Sequence, residues 1–175
     1  MKKKVKLEDE PLSLSQIAQL KNVSDDYSHL GQDYILTHIT TNTSYFYAPA
    51  ARRFDGFIII ISVKGTIKIT IDLDTIEVDP GSVTFVAPDR VFKPIDWDGD
   101  ELDAYLLFLS NRFVYDLNIE LNAINTNLFT SAKQVMDLRS DQLDVLIKYF
   151  HMLHQNALDL NPYLSLIHIS EPTRR

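Results

Sequence analysis

Cysteine is missing altogether from the 175 residues, which excludes disulfides and thiolate-held zinc. Long hydrophobic runs are missing too. Runs such as Phe57–Ile61 are strand-sized and far short of the ~18 apolar residues of a membrane-spanning helix. Met1-Lys-Lys-Lys could open a signal peptide, but Val5 to Pro11 supply no hydrophobic region behind it. The expectation is a cytoplasmic protein with no membrane partner. Positive charge is scarce: 17 Lys and Arg stand against 24 Asp and Glu, a net charge of −7. Apart from Lys2–Lys4 and Arg52-Arg53 the basic residues are scattered, whereas a domain that grips DNA needs a basic face to displace phosphate counterions. Also absent are a Gly-rich phosphate loop, a nucleophile elbow and an HExxH helix.

What remains is the composition of a soluble globular protein, 45% hydrophobic and 23% charged, long enough for one domain with a helical appendage. Residues 1–30 read as an arm, charged at first and then apolar at 14, 17 and 20. Strands are expected at Tyr34–Ile39, at Ser44–Tyr47, and at 57–63, 66–71, 75–78, 82–86 and 103–109, from β-branched content and bracketing turns. Ile67, Ile69 and Ile71 alternate with polar residues, the pattern of a half-buried strand. Gly65 and Gly81 are free to take positive φ, and Pro80 pre-sets the chain before Gly81. So many short strands without intervening helices predict a sandwich or jelly roll.

Beyond Leu109 the period changes. Ser110-Asn111 caps a short predicted helix, and a longer one is predicted from Ser140 to about Leu158. Leu143, Leu146, Ile147, Phe150, Leu153 and Ala157 form an apolar stripe on it; Val145, Tyr149 and Met152 widen it sideways. The apolar sector covers roughly 200°, about twice what a one-sided surface helix needs. One side fits the barrel; the other is expected to meet a second copy, with a helix buried deeper in its own domain as the alternative. Residues 165–175 break this pattern and resemble translated sequencing-adapter sequence. The expectation is a non-native tail on a natural chain that continues past about Leu164; a genuine disordered tail is the alternative.

The strand rhythm of residues 56–94 resembles the cupin barrel. Metal-dependent cupins carry a Glu and a His-x-His pair upstream of the first turn glycine and a His after the turn proline of the second motif. Counting from Gly65 puts Ile58 at the Glu position and Ala51, Arg52, Arg53 and Phe54 around the histidines; counting from Pro88 gives Lys93. No ligand survives, so the resemblance implies a barrel that binds rather than catalyses, with no cofactor and no metal. The order of Tyr47-x-Pro49, Asp55-Gly56-Phe57, Lys64-Gly65, Asp79-Pro80-Gly81, Phe85-Val86-Ala87-Pro88 and Ala104–Leu109 with Ser110–Leu117 resembles the N-terminal domain of AraC-type transcription regulators. That resemblance covers residues 34–118 and adds the helix at 140–158, which sits where the family has its dimerisation helix. It implies a cupin-like barrel at 31–110 and a helical dimerisation segment at 111–164. A small effector, often a sugar or other metabolite, would bind inside the barrel with the arm closing over it, and the chain would form a homodimer. Such regulators read DNA through two helix-turn-helix units that these residues do not contain, so DNA contact is expected only through a missing C-terminal region.

Tyr47, Arg52, Lys93, Asp103 and Tyr105 are the candidate effector residues. Asp103 and Tyr105 share one strand face, opposite Ala104, Leu106 and Phe108. The resemblance places that strand along the cavity, where an acid and a phenol would meet hydroxyl groups, and Tyr105 or Trp97 would stack on a sugar. Val145, Tyr149 and Met152 are the candidate dimer contacts. His151 and His154 are spaced to share a helix face, but a metal site needs a third ligand and an ordered second shell, and the five histidines are read as surface residues. The aspartates at 72, 74, 96, 98 and 100 fall in predicted turns, where local hydrogen bonding favours Asp. The competing readings are a metal-dependent cupin enzyme of the sugar isomerase or dioxygenase type and a stand-alone small-molecule-binding cupin.

Overall fold

The computed structural model describes residues 10–20, 27–30, 32–42, 51–93, 96–117 and 135–170, with backbone only at 18–20, 27–30 and 158–170. Helix α1 (Leu14–Leu20) is followed by strands β1 (Tyr27–Leu30), β2 (Tyr34–Thr40), β3 (Arg52–Arg53), β4 (Gly56–Ile71), β5 (Asp74–Val78), β6 (Ser82–Val86), β7 (Val91–Phe92) and β8 (Asp96–Ser110). Helix α2 (Asn111–Asp116), strand β9 (Val135–Asp137) and helix α3 (Ser140–Ser170) complete the described elements. The strands pair antiparallel in the order β1-β2-β8-β4-β6-β9, with β5 on the far half of β4 and β7 joining β3 to β4. Because β4 and β8 are long enough to cross from one layer to the other, the sheet folds over itself into a cupin-like jelly-roll barrel.

The crossing is made at a glycine corner. Residues 57–63 and 66–71 were expected as two strands around a Lys64-Gly65 turn; they form one strand of 16 residues, bent where its register with β8 slips between Ser62 and Thr66. Gly65 takes φ +78°, and a Cβ there would sit 2.8 Å from the Glu101 carbonyl oxygen. Gly99 bends β8 alongside it at φ +126°. The Ser62 hydroxyl donates to the Gly65 carbonyl across the bulge. A bulge adds the local twist that turns a strand, and glycine is what fits it. The Asp79-Pro80-Gly81 turn is a true one: Gly81, at φ +83°, donates to the Ser62 carbonyl at 2.8 Å.

Inside, Ile35, Phe108, Ile58 and Val86 stand in one row across four strands, and Ile60, Ile67, Ile69, Ile71, Phe92 and Leu106 fill the space beside them. Each such side chain contributes ~1.5–3 kcal/mol when buried. Helix α1 is started by a reciprocal cap, Ser13 N donating to Gln16 Oε1 at 2.8 Å and Gln16 N to Ser13 Oγ at 3.3 Å. Its Leu14 and Ile17 are buried in the barrel core, and Leu12 bridges to β3 through Arg53 O at 2.7 Å. The expected arm therefore has a seat. Residues 27–30, expected within that arm, instead pair with β2 as β1.

Helix α3 lies on the outer face of the sheet. Phe150 and Ala157 are buried, and Leu143, Leu146, Ile147 and Leu153 pack with them against Tyr34, Leu36, Ile61, Val83, Tyr105 and Leu107. The Tyr34 hydroxyl donates to the Leu153 carbonyl at 2.7 Å. The helix continues beyond Leu158 through residues 165–170, where no continuing pattern was expected. Strand β9 was not anticipated either; it extends the sheet along β6, and Ser82 Oγ donates to Asp137 Oδ1 at 2.8 Å.

Gly65→Ala is expected to cost about 2 kcal/mol or more, from the left-handed conformation and the carbonyl contact, read as a lowered urea midpoint with an unchanged slope. A second expectation concerns alkali. Burial, and then the Asp33 carboxylate, raise the Tyr34 hydroxyl above the usual tyrosine value. The folded chain holds that proton more tightly than the unfolded one. The resulting stabilisation is complete below about pH 10 and is lost as pH rises through the folded value. Tyr34→Phe should remove that part of the alkaline loss while costing ~1 kcal/mol at neutral pH, both measurable by denaturant titration across pH.

Candidate functional site

Two surfaces carry the candidate residues, the inner face of the barrel and its outer face beneath α3. The inner face is apolar with few polar exceptions. By alternation Thr37, Ser62 and Thr84 point inward among the isoleucines, and all three are buried. Trp97 pairs with Ile67 and packs on the same core. Arg52 lies opposite Phe92 in the β3–β7 pair, so it shares the side of that core residue, half-buried at the rim. Among the described residues its guanidinium makes no hydrogen bond or ion pair. Lys93 follows Phe92 and is exposed on the opposite side. Ile58, at the position where metal-dependent cupins carry Glu, is a core side chain only 2% exposed.

Asp103 and Tyr105 do not face the barrel interior. Ala104, Leu106 and Phe108 belong to the interior cluster, while Tyr105 and Leu107 belong to the cluster that packs α3. The alternation was read correctly but assigned to the wrong side: the apolar set faces the core, because a largely apolar interior takes the residues whose burial carries no polar penalty. On the outer face Tyr105 stands opposite His38, and their rings stack with centroids 4.4 Å apart and planes 7° from parallel. His38 Nε2 lies 2.7 Å from Asp103 Oδ1. The Tyr105 hydroxyl is 3.2 Å from His151 Nε2 on α3. Leu36, His38, Tyr105, His151 and His154 line a cleft of about 130 Å³ between sheet and helix.

Three histidines read as surface residues are therefore gathered at one seam. His151 and His154 carry the spacing that brings them together, but nothing in the sequence sets His38 opposite Tyr105, since that depends on the β2–β8 register. Among the described residues no three His, Cys, Asp or Glu side chains lie close enough together to hold a metal ion. Tyr47 lies outside the described residues. Val145, Tyr149 and Met152 are 47%, 58% and 59% exposed on the flank of α3.

No protein-family model and no curated protein matches the chain. Among solved structures it is similar to a cupin superfamily protein from Desulfitobacterium hafniense, with 14% identity over 59% of this chain and 93% of that one, at a TM-score of 0.40. It is also similar to apo ToxT from Vibrio cholerae, with 17% identity over 70% of this chain and 48% of that one, at a TM-score of 0.47. ToxT with an unsaturated fatty acid bound gives 18% identity over 66% and 45%, at 0.44. The chain thus spans about half the length of ToxT.

A chelator is expected to leave the melting temperature of the purified chain unchanged, and elemental analysis to find well under one metal per chain. A ligand held only by the native state stabilises it, so a resident metal would show as a lowered melting temperature on its removal. One tightly held transition metal per chain would contradict the expectation.

Proposed function

We propose that this chain is the ligand-sensing and dimerisation part of an AraC-type transcription regulator, and not an enzyme. The observation that carries the reading is the division of labour on α3. One stripe fixes the helix to the barrel, and a second apolar strip, Val145, Tyr149 and Met152, is left exposed on its flank. An exposed apolar strip on a helix already committed to its own barrel fits an isologous contact with a second copy. Helix α1 of the arm sits on the barrel core, where it would respond to what the barrel holds.

The effector of this reading is a small molecule with an apolar body, matched to the aliphatic interior. The Arg52 guanidinium offers charge at the rim, half-buried beside the core residue Phe92. Asp103 and Tyr105 face away from that interior. DNA would be read by helix-turn-helix units outside these residues, so the acidic chain by itself senses and pairs. It should bind DNA only weakly, without sequence preference and reversibly by salt.

Replacing Tyr149 and Met152 by Glu tests the reading. The barrel should stay folded while self-association weakens at least ~100-fold by sedimentation, because each buried apolar side chain is worth ~1.5–3 kcal/mol and two copies of the pair are lost. A wild-type chain that stays monomeric at high concentration would sink the proposal. General unfolding of the variant would show instead that the strip serves its own barrel.

A further inference from the structure

The cleft at the seam of sheet and helix has a chemistry of its own. A carboxylate only accepts hydrogen bonds, so the 2.7 Å contact with Asp103 Oδ1 puts a proton on His38 Nε2 and gives the Asp103 carboxylate a donor. His151 reaches the Tyr105 hydroxyl at 3.2 Å. His154 lines the same cleft half-buried and, among the described residues, its imidazole makes no hydrogen bond or ion pair. The cleft volume of about 130 Å³ has room for several waters or one small polyatomic group. Three imidazoles and a phenol surround that space over an apolar floor of Leu36. Their nitrogens do not converge on one point as metal ligands must. Hydrogen-bond donors need no such convergence.

We propose that this seam binds a small oxyanion, the carboxylate or phosphate group of a ligand, through His154 with His38, His151 and Tyr105. An anion against an imidazole favours its protonated form, which turns each ring into a donor at both nitrogens. Aromatic walls and the leucine floor exclude water from one side, which strengthens the contacts. Because His38 and Tyr105 belong to the barrel and His151 and His154 to α3, the bound group ties the helix to the sheet. The site is independent of the interior effector site and stands whether or not the chain is a regulator.

The test uses the full chain, titrated with sodium phosphate and, separately, sodium acetate at constant ionic strength against sodium chloride. The ring-proton NMR signals of the histidines are followed. The expected result is a saturable shift of the His38, His151 and His154 signals by at least one of the two anions. Saturation by phosphate alone assigns a phosphate group, and by acetate alone a carboxylate. His154→Ala should weaken that binding at least tenfold, and Arg112→Ala, an exposed cation elsewhere, should leave it unchanged. If His154→Ala fails to fold, His154→Gln, which keeps the size but takes no proton, must weaken binding likewise. Shifts no larger than those with chloride, or equal affinity in a folded His154 variant, would overturn the proposal.

Discussion

Strands β4 and β8 are paired twice, once on each side of a glycine corner, and the other elements are built onto that pairing. On one side Gly56 to Ser62 run against Ala104 to Ser110; on the other, Thr66 to Lys68 run against Asp96 to Asp98. Neighbouring strands attach to the two halves separately, β2 and β6 to one and β5 to the other, so the barrel closes only if the corner bends. The bend is a backbone property of Gly65 and Gly99. The Lys64–Glu101 ion pair crosses it at 2.8 Å and holds the Glu101 carboxyl below its ordinary range. That pair is exposed, so solvent screening leaves it little weight beside the steric demand for glycine.

The same pairing decides which chemistry is inside. With Ala104, Leu106 and Phe108 inward, Asp103, Tyr105 and Leu107 are turned to the outer face, where Tyr105 and Leu107 form part of the floor on which α3 lies. The helix is held by apolar packing and by polar links that include Tyr34 to the Leu153 carbonyl and Tyr105 to His151. The outer face therefore combines adhesion with titratable and donor groups, while the inner face is mostly aliphatic. In the proposed reading the interior would receive an effector and the helix would pair with its copy, on opposite sides of one sheet. A change in how the sheet is filled then has a short mechanical route to the helix.

Much of the barrel was legible because its signals are local. Alternating isoleucines, the Asp-Pro-Gly turn and the Ser110 cap each act within a few residues, and the stripe on α3 follows from helical spacing alone. The misreadings are all non-local. Gly65 has the same freedom in a turn as in a bulge, and only the register with β8 distinguishes them. Alternation separates Asp103 and Tyr105 from Ala104 and Leu106 but does not say which set faces in. The histidine cluster joins positions 38, 151 and 154, brought together by one strand register and one helix docking. Short strands such as β1, β7 and β9 borrow their order from the partner strand, so their own sequences announce little.

The central claim is that one flank of α3 meets its own copy while the other holds the barrel. A chain without cysteine permits a direct measurement, since any disulfide must pass through an introduced residue. Val145→Cys, Tyr149→Cys and Met152→Cys, each made singly, are to be oxidised under mild conditions beside Asp144→Cys and Lys148→Cys from the polar strip. The account predicts that at least one of the first three forms a covalent dimer rapidly and in high yield while both polar-strip variants stay monomeric. Equal, slow cross-linking at all five positions, or none at the first three, would contradict it.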